Sequence, residues 1–399
     1  MKFVFLLSLV ATIFFFSQEA FALNGTYKSF FSAIDYPYSN SADGMVSNTF
    51  RPKFTLAPNK WFSLNVAYAL SANMQNTPVA SSAVAGTQQK RDYRALDLKS
   101  SLYPSPISDT SHVTLTQNLD RLSLTSSSSS SKFNLNIGRQ PVAFGSAKVV
   151  NPTDVLTPFT YQELDKEERV GVDAARMNIS LGELSLFDAG YVFGDKFKKS
   201  KSSFFLRMKS NALATDVSTM LLMFKRNLLL GLDISRSVGQ ASTWVEAAYV
   251  FPKYFDLNRD RSQDYFRGTI GLDYKLTSSI YSYCEYHYNG AGTIDPKKYF
   301  LLATQVPYTE GSVSLKGVHY LIPGMSYEIS PIWKLTGQFL FNANDLSILN
   351  NLLVEHSFAQ DVFIDLGTYL PVGAKSAMVQ KSEFGIYPKI YYTALRLYF

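Results

Sequence analysis

Apolar side chains return at every second position, segment after segment, from near residue 46 to the end of the chain. In KWFSLNVAYAL, Phe62, Leu64, Val66, Tyr68 and Leu70 fall on one face, and Ser63, Asn65 and Ala67 on the other. SKFNLNIG sets Phe133, Leu135 and Ile137 against Asn134 and Asn136. DYFRGTIGLDYKL sets Phe266, Ile270, Leu272 and Tyr274 against Arg267, Thr269, Asp273 and Lys275. A period of two marks a strand whose two faces meet different surroundings. Soluble antiparallel sheets alternate as well. Here, however, the segments run to about 10 residues, the length of a membrane strand rather than the usual ~5–6. Their polar face also carries full charges, which a water-filled lumen allows. Past residue 22, no charge-free apolar run reaches the ~18 residues that suggest a spanning helix. The best candidate, Met220–Leu232, holds Lys225, Arg226 and Asn227 at its centre and reads as two strands around a tight turn. Only helices and closed barrels satisfy every backbone group in lipid. The expected fold is therefore all-β, a transmembrane antiparallel β-barrel.

Connections between the segments alternate in length. Pro58-Asn59, Gly182-Glu183 and Lys225-Arg226-Asn227 are short, whereas Phe251 to Asp264 and Asn289 to Glu310 are long and polar. Short turns at one end and long loops at the other are the habit of membrane barrels. The count gives 16–18 strands, with 18 favoured. The uncertain part lies before residue 140, where Ser71 to Arg91 is long in place of a turn and GTYKSFFSAI (Gly25 to Ile34) is a further strand candidate. Ser126 to Ser131 is a serine tract that reads as a loop.

The chain opens MKFVFLLSLVATIFFFSQEAFA, with Lys2 before an apolar stretch and an A-x-A site after it. At about 14 residues the stretch is short for an anchor and suits a cleaved secretory signal. The expected organisation is a signal peptide over 1–22 and a barrel domain over 23–399. The single cysteine, Cys284, leaves an exported chain without an internal disulfide. Aromatic residues make up 15% although mean hydropathy is −0.04, a combination that suits a protein facing lipid on one side and water on the other.

From Ile390 the chain ends IYYTALRLYF, with Tyr391, Thr393, Leu395, Leu397 and Phe399 on one face and Ala394 and Arg396 on the other. This resembles the last strand of bacterial outer-membrane proteins. The resemblance implies that Tyr391, Leu395, Leu397 and Phe399 form a signal for the barrel-assembly machinery. A second resemblance lies in Asn136 to Met177: Gly138-Arg139-Gln140, Gly145, Asn151-Pro152-Thr153-Asp154, an acidic run from Glu163 to Glu168, and Gly171-Val172-Asp173-Ala174-Ala175-Arg176. The segment is similar to one shared by porin-like outer-membrane proteins of mostly unassigned substrate, although Phe144 stands where they often carry Trp. It implies a passive or substrate-selective pore in the bacterial outer membrane, with lipid and lipopolysaccharide around it. A homotrimer is compatible with that resemblance, and no feature of the sequence requires one.

The connection 141–169 is too long for a hairpin, and Pro141, Pro152 and Pro158 keep it out of the ladder. It is expected to fold into the lumen as a constriction, with Asp154, Glu163, Asp165, Glu167 and Glu168 facing wall cations such as Arg139 and Arg176. Opposed charge across a narrow water path orients dipolar or charged solutes. The other expected lumen residues are Asp188, Asp233, Glu246, Arg267, Asp273, Lys275, Lys334, Asp365 and Arg396. A net charge of +6 suggests a mild anion preference, although KFKKSKS (Lys196 to Ser202) holds much of that charge near a hairpin. The expected function is a porin for small polar solutes. The alternative is a narrow, substrate-specific barrel that exports an acidic polysaccharide or takes up aromatic or fatty compounds.

An enzyme is the least expected reading. Glu285 and His287 share a strand face, but no serine stands in a G-x-S-x-G context. The four histidines lie at no metal-pair spacing. Asn258-Arg259-Asp260 with Asp264 is a poor match to a calcium loop, because arginines interrupt it. Neither a cofactor, a metal nor a nucleic-acid partner is expected.

Overall fold

The alternating segments form strands. The structure, a computed structural model, describes residues 21–38, 42–76, 92–104, 112–128, 130, 132–161, 163–375 and 379–399. Among these, the strands are β1 (Phe21–Asp35), β2 (Asp43–Asn59), β3 (Phe62–Gln75), β4 (Ser101–Tyr103), β5 (Val113–Ser127), β6 (Phe133–Gln140), β7 (Val172–Ser180), β8 (Leu186–Val192), β9 (Ser203–Ala212) and β10 (Thr215–Phe224). They continue as β11 (Asn227–Val238), β12 (Ala241–Phe251), β13 (Tyr265–Lys275), β14 (Ile280–Asn289), β15 (His319–Ser330), β16 (Trp333–Asn342), β17 (Ser347–Ala359), β18 (Val362–Val372) and β19 (Lys389–Tyr398).

Eighteen of them close an antiparallel barrel. β3 pairs directly with β5, the three-residue β4 lies against β5, and β1 pairs with both β2 and β19. The strand candidate at Gly25 to Ile34 falls inside β1 and completes the count. Of the expected signal, residues 1–20 lie outside the described residues; Phe21 and Ala22 open β1, opposite Leu56 and Thr55. Ser129 and Ser131 of the serine tract and residues 77–91 are likewise outside them.

One end of the barrel carries tight turns, such as 60–61, 213–214, 239–240 and 360–361, and the other carries the connections 141–171, 252–264, 290–318 and 373–388. The Met220–Leu232 stretch is two strands around residues 225–226, as its central charges suggest, but this short turn sits at the long-loop end. Parity separates the faces. On β13, Arg267 and Thr269 are buried while Ile270 and Leu272 are 54% and 52% exposed. Leu122, Leu124, Ile137, Leu321 and Leu366 add to this exposed apolar outer face, which a folded chain keeps out of water only by meeting lipid or protein.

The buried apolar cores are inside the ring. Val142, Phe144, Val155 and Leu156 of the 141–171 segment pack against Phe205, Leu222, Phe224 and Val250 of the wall. A second cluster joins Leu315 and Phe384 to Tyr320, Ile322, Leu340 and Tyr392. The lumen is thus partly filled by the chain's own connections, and the site is built on the first of them.

Candidate functional site

Segment 141–171 leaves β6 and crosses to strands half-way round the ring from β1 and β2. There the wall holds it by its backbone. Glu246 of β12 accepts from Ala147 N (3.1 Å), Thr153 N (2.8 Å), Thr153 Oγ1 (2.6 Å) and Asn151 Nδ2 (3.1 Å). Glu285 of β14 accepts from Lys148 N (2.6 Å), Val149 N (3.1 Å) and Trp244 Nε1 (2.9 Å). The Arg267 guanidinium donates to Asn151 O at 3.3 Å and also to Pro152 O, and Ser146 donates to Asp233. A buried carboxylate costs several kcal/mol unless donors surround it. Here the donors are otherwise orphaned loop amides, so each group satisfies the other.

The segment then returns across the lumen and presents its acidic run to β1, β2 and β19. Lys28 Nζ lies 2.7 Å from Asp165 and 2.7 Å from Glu167. Arg51 lies 2.6 Å from Asp120 of β5 and 3.0 Å from Glu168. Lys53 also reaches Glu168, and Arg121 reaches Asp120 at 2.8 Å and Glu168 at 3.4 Å. Asp120 and Arg121 both enter this belt because a bulge there shifts the β3–β5 register. Arg396 joins Glu167 at 2.5 Å to Asp365 and Glu355 of the wall. Burial alone would raise the Glu167 carboxyl. Hydrogen bonds from Lys28 and Tyr398, the Lys28 charge and the Arg396 bond outweigh it and hold it down to about 2.

The structure distributes the expected constriction residues unevenly. Asp165, Glu167 and Glu168 meet wall cations. Asp154 is buried and paired with Arg169 of its own segment; burial pushes its carboxyl up, against that guanidinium. Glu163 is buried, accepts from Thr160 N at 3.3 Å, and its carbonyl takes the Tyr369 hydroxyl at 3.1 Å. The two cations named from sequence do not face the acidic run. Arg139 has the parity of Ile137 and is tied at the rim to Asp173 (2.7 Å) and Asp97 (2.9 Å), because strand parity turns it away from the lumen side of β6. Arg176 points inward but is taken by Asp188 at 2.8 Å, which also holds Arg207. Their places are filled by Lys28, Arg51, Lys53 and Arg121.

The remaining expected lumen residues share inward parity. Asp273 meets Lys148 (3.0 Å) and the Tyr281 hydroxyl (2.6 Å). Lys275 follows Asp273 on the inner face of β13, and Lys334 stands opposite Glu355. Glu285 is engaged by the segment as described, while His287 Nδ1 lies 2.8 Å from Thr269 Oγ1. Arg259 is paired with Asp264, and Asp260 accepts from Ser262 N, so both are turned to local bonds. Cys284 is half-buried on the outward face shared with Tyr286. At the turn end, Phe399 exchanges backbone hydrogen bonds with Gly25 (2.7 and 3.1 Å) and stacks on Phe50.

With closure, parity and the crossing segment in view, comparison with solved structures is informative about the fold. Acinetobacter baumannii OccAB3 matches at 10% identity over 95% of this chain and 99% of its own, with a TM-score of 0.54. A BenF-like porin from Pseudomonas fluorescens Pf-5 matches at 8% identity over 96% and 99%, with 0.56. Pseudomonas aeruginosa OccK7 (OpdD) matches at 11% over 95% and 98%, with 0.51. The barrel has the fold of bacterial outer-membrane porins. No protein-family model matches the sequence, and no curated protein matches it. The likeness to these porins therefore lies in the fold rather than in residues.

Proposed function

We propose that the chain is an outer-membrane porin, exported by a cleaved signal at 1–22, whose lumen is narrowed by segment 141–171 to a path for small polar solutes. The observation that carries this reading is the crossing. One segment is bonded to Glu246 and Glu285 on one side and to Lys28, Arg51 and Arg396 on the other. A strand sequence alone makes a wide tube; a bridge fixed at both ends divides it. The ion pairs of the belt are direct contacts rather than charges opposed across water, so the acidic run closes against the wall it meets and the path runs beside it. The belt favours neither sign, since each of its cations has a carboxylate partner, so any anion preference rests on the rim lysines. The last strand, with Tyr391, Leu395, Leu397 and Phe399, is the part offered to the barrel-assembly machinery, and the outward apolar face to lipid.

Purified protein in planar bilayers is expected to give stable unitary currents. Deleting Ser146 to Asp165 is expected to raise conductance severalfold. Electrical silence over many insertions would overturn the channel. An unchanged conductance after deletion would remove the segment from the pore.

A further inference from the structure

We infer that solutes cross along the wall made by β2, β3, β5 and β6, and that this wall suits uncharged, polyhydroxylated solutes; the inference rests on the channel reading above. Towards the opposite wall the spaces left beside the segment, of about 220 and 340 Å³, are lined by charged groups such as Arg207, Lys209, Asp216 and Asp233, or Lys166, Arg169 and Arg267. Phe144 packs edge-on to Phe205 at 5.0 Å, and Val142, Val155 and Leu156 continue that dry contact between segment and wall. On the β2–β6 side, two cavities remain, of about 270 and 280 Å³. Both have Arg51 and Glu168 in their lining, so the cavities lie on either side of one ion pair.

Apart from that belt, the wall strands contribute no charge to either cavity. Towards the loops they present Ser47, Thr49, Ser71, Asn73, Thr116 and Asn118. Towards the turns they present Thr55, Asn65, Ser123, Asn136 and Gln140. These groups are already laid out in rungs: Ser47 with Asn73 at 2.6 Å, Thr49 with Ser71 at 2.9 Å, Thr55 with Asn65 at 3.1 Å. Asn136 Oδ1 has no hydrogen-bond partner. Hydroxyl and amide groups both donate and accept, as do the hydroxyls of a sugar ring. Such a solute exchanges bonds to water for bonds to the wall at little net cost. A charged solute has a harder passage. The belt cations are already neutralised by Asp120, Asp165, Glu167 and Glu168, so an ion must break a pair or go past without one, and shedding water uncompensated is costly.

The test compares efflux of radiolabelled glucose and gluconate, alike in carbon count and different in charge, from proteoliposomes holding the full chain. Glucose is expected to leave faster. In the double variant Ser71→Ala, Thr116→Val, glucose is expected to slow about fivefold, roughly the worth of one net hydrogen bond, while potassium chloride conductance stays near the parent value. Gluconate leaving as fast as glucose from the parent protein, or a folded double variant with unchanged glucose efflux, would overturn the solute class. A protein that passes potassium chloride but shows either of those results leaves the channel standing and the inference fallen; one that passes neither ions nor solutes removes both.

Discussion

Gly145 shows what a single position contributes. Its φ is +91°, and a Cβ there would lie 2.3 Å from a Glu246 carboxylate oxygen. Alanine cannot be placed without moving the carboxylate that holds Ala147 and Thr153. Gly145→Ala is expected to loosen the segment's far anchor, at about 1–3 kcal/mol for the strained backbone, and to appear in bilayers as noisier, larger unitary currents. Glu167 answers to pH. Its carboxyl sits at about 2 against an ordinary 4.5, so its bridge contributes fully above about 4.5 and is lost as pH falls towards 2. Current traces are expected to show no change from this group between neutral pH and pH 5, and added fluctuation near pH 2–3 that Glu167→Gln shows at every pH. At this scale the sequence was half legible. The acidic partners Asp165, Glu167 and Glu168 stood out as a run. Lys28, Arg51 and Lys53 did not, because a lone cation on a strand gives no sign of what crosses the lumen to meet it.

Among the elements, the connection 373–388 behaves as a second inward piece. Phe384 is buried in the second cluster, and the Tyr387 and Tyr161 hydroxyls meet at 2.6 Å, tying this connection to segment 141–171. Glu383 is fully buried, accepts from the Tyr320 hydroxyl, from Lys316 N at 2.9 Å and from Asn342 Nδ2 at 2.8 Å. Burial pushes its carboxyl up to about 7, against the Tyr320 and Lys316 hydrogen bonds and the Lys316 charge, and with the nearby Asp345 carboxylate adding to the rise. A carboxyl raised in the folded state favours the closed packing in acid. That contribution is whole below the ordinary 4.5 and gone once pH passes about 7. Hydrogen exchange over 373–388, corrected for intrinsic rate, is expected to be faster at pH 8 than at pH 5, and Glu383→Gln to remove the difference. Equal protection at both pH values in the parent would refute the role given to Glu383. In GAKSAMVQKSEFGIYP the apolar Phe384, Ile386 and Tyr387 follow the glutamate without a strand or helix period, so the pattern alone did not announce this packing.

For the whole molecule, closure is the property to measure. A ring with no free edge resists detergent until heated, so an unboiled sample is expected to migrate differently in SDS from a boiled one. Identical mobility would count against the closed barrel. Removing Arg139 tests the rim: Arg139→Ala leaves Asp173 without its guanidinium while Asp97 keeps Arg94, so the unboiled band is expected to disappear at a slightly lower temperature. The sequence by itself determined the strand period, the barrel and its favoured strand number, because each of these follows from local alternation and turn length; the sidedness of the loops was legible only in part, since the short turn at 225–226 lies at the long-loop end. It also marked segment 141–169 as unusual. Which wall residues that segment meets was decided by tertiary structure alone. Register and closure bring Glu246, Lys28 and Glu168, more than a hundred residues apart at the extremes, into one cross-section, and no local pattern encodes a distance across a lumen.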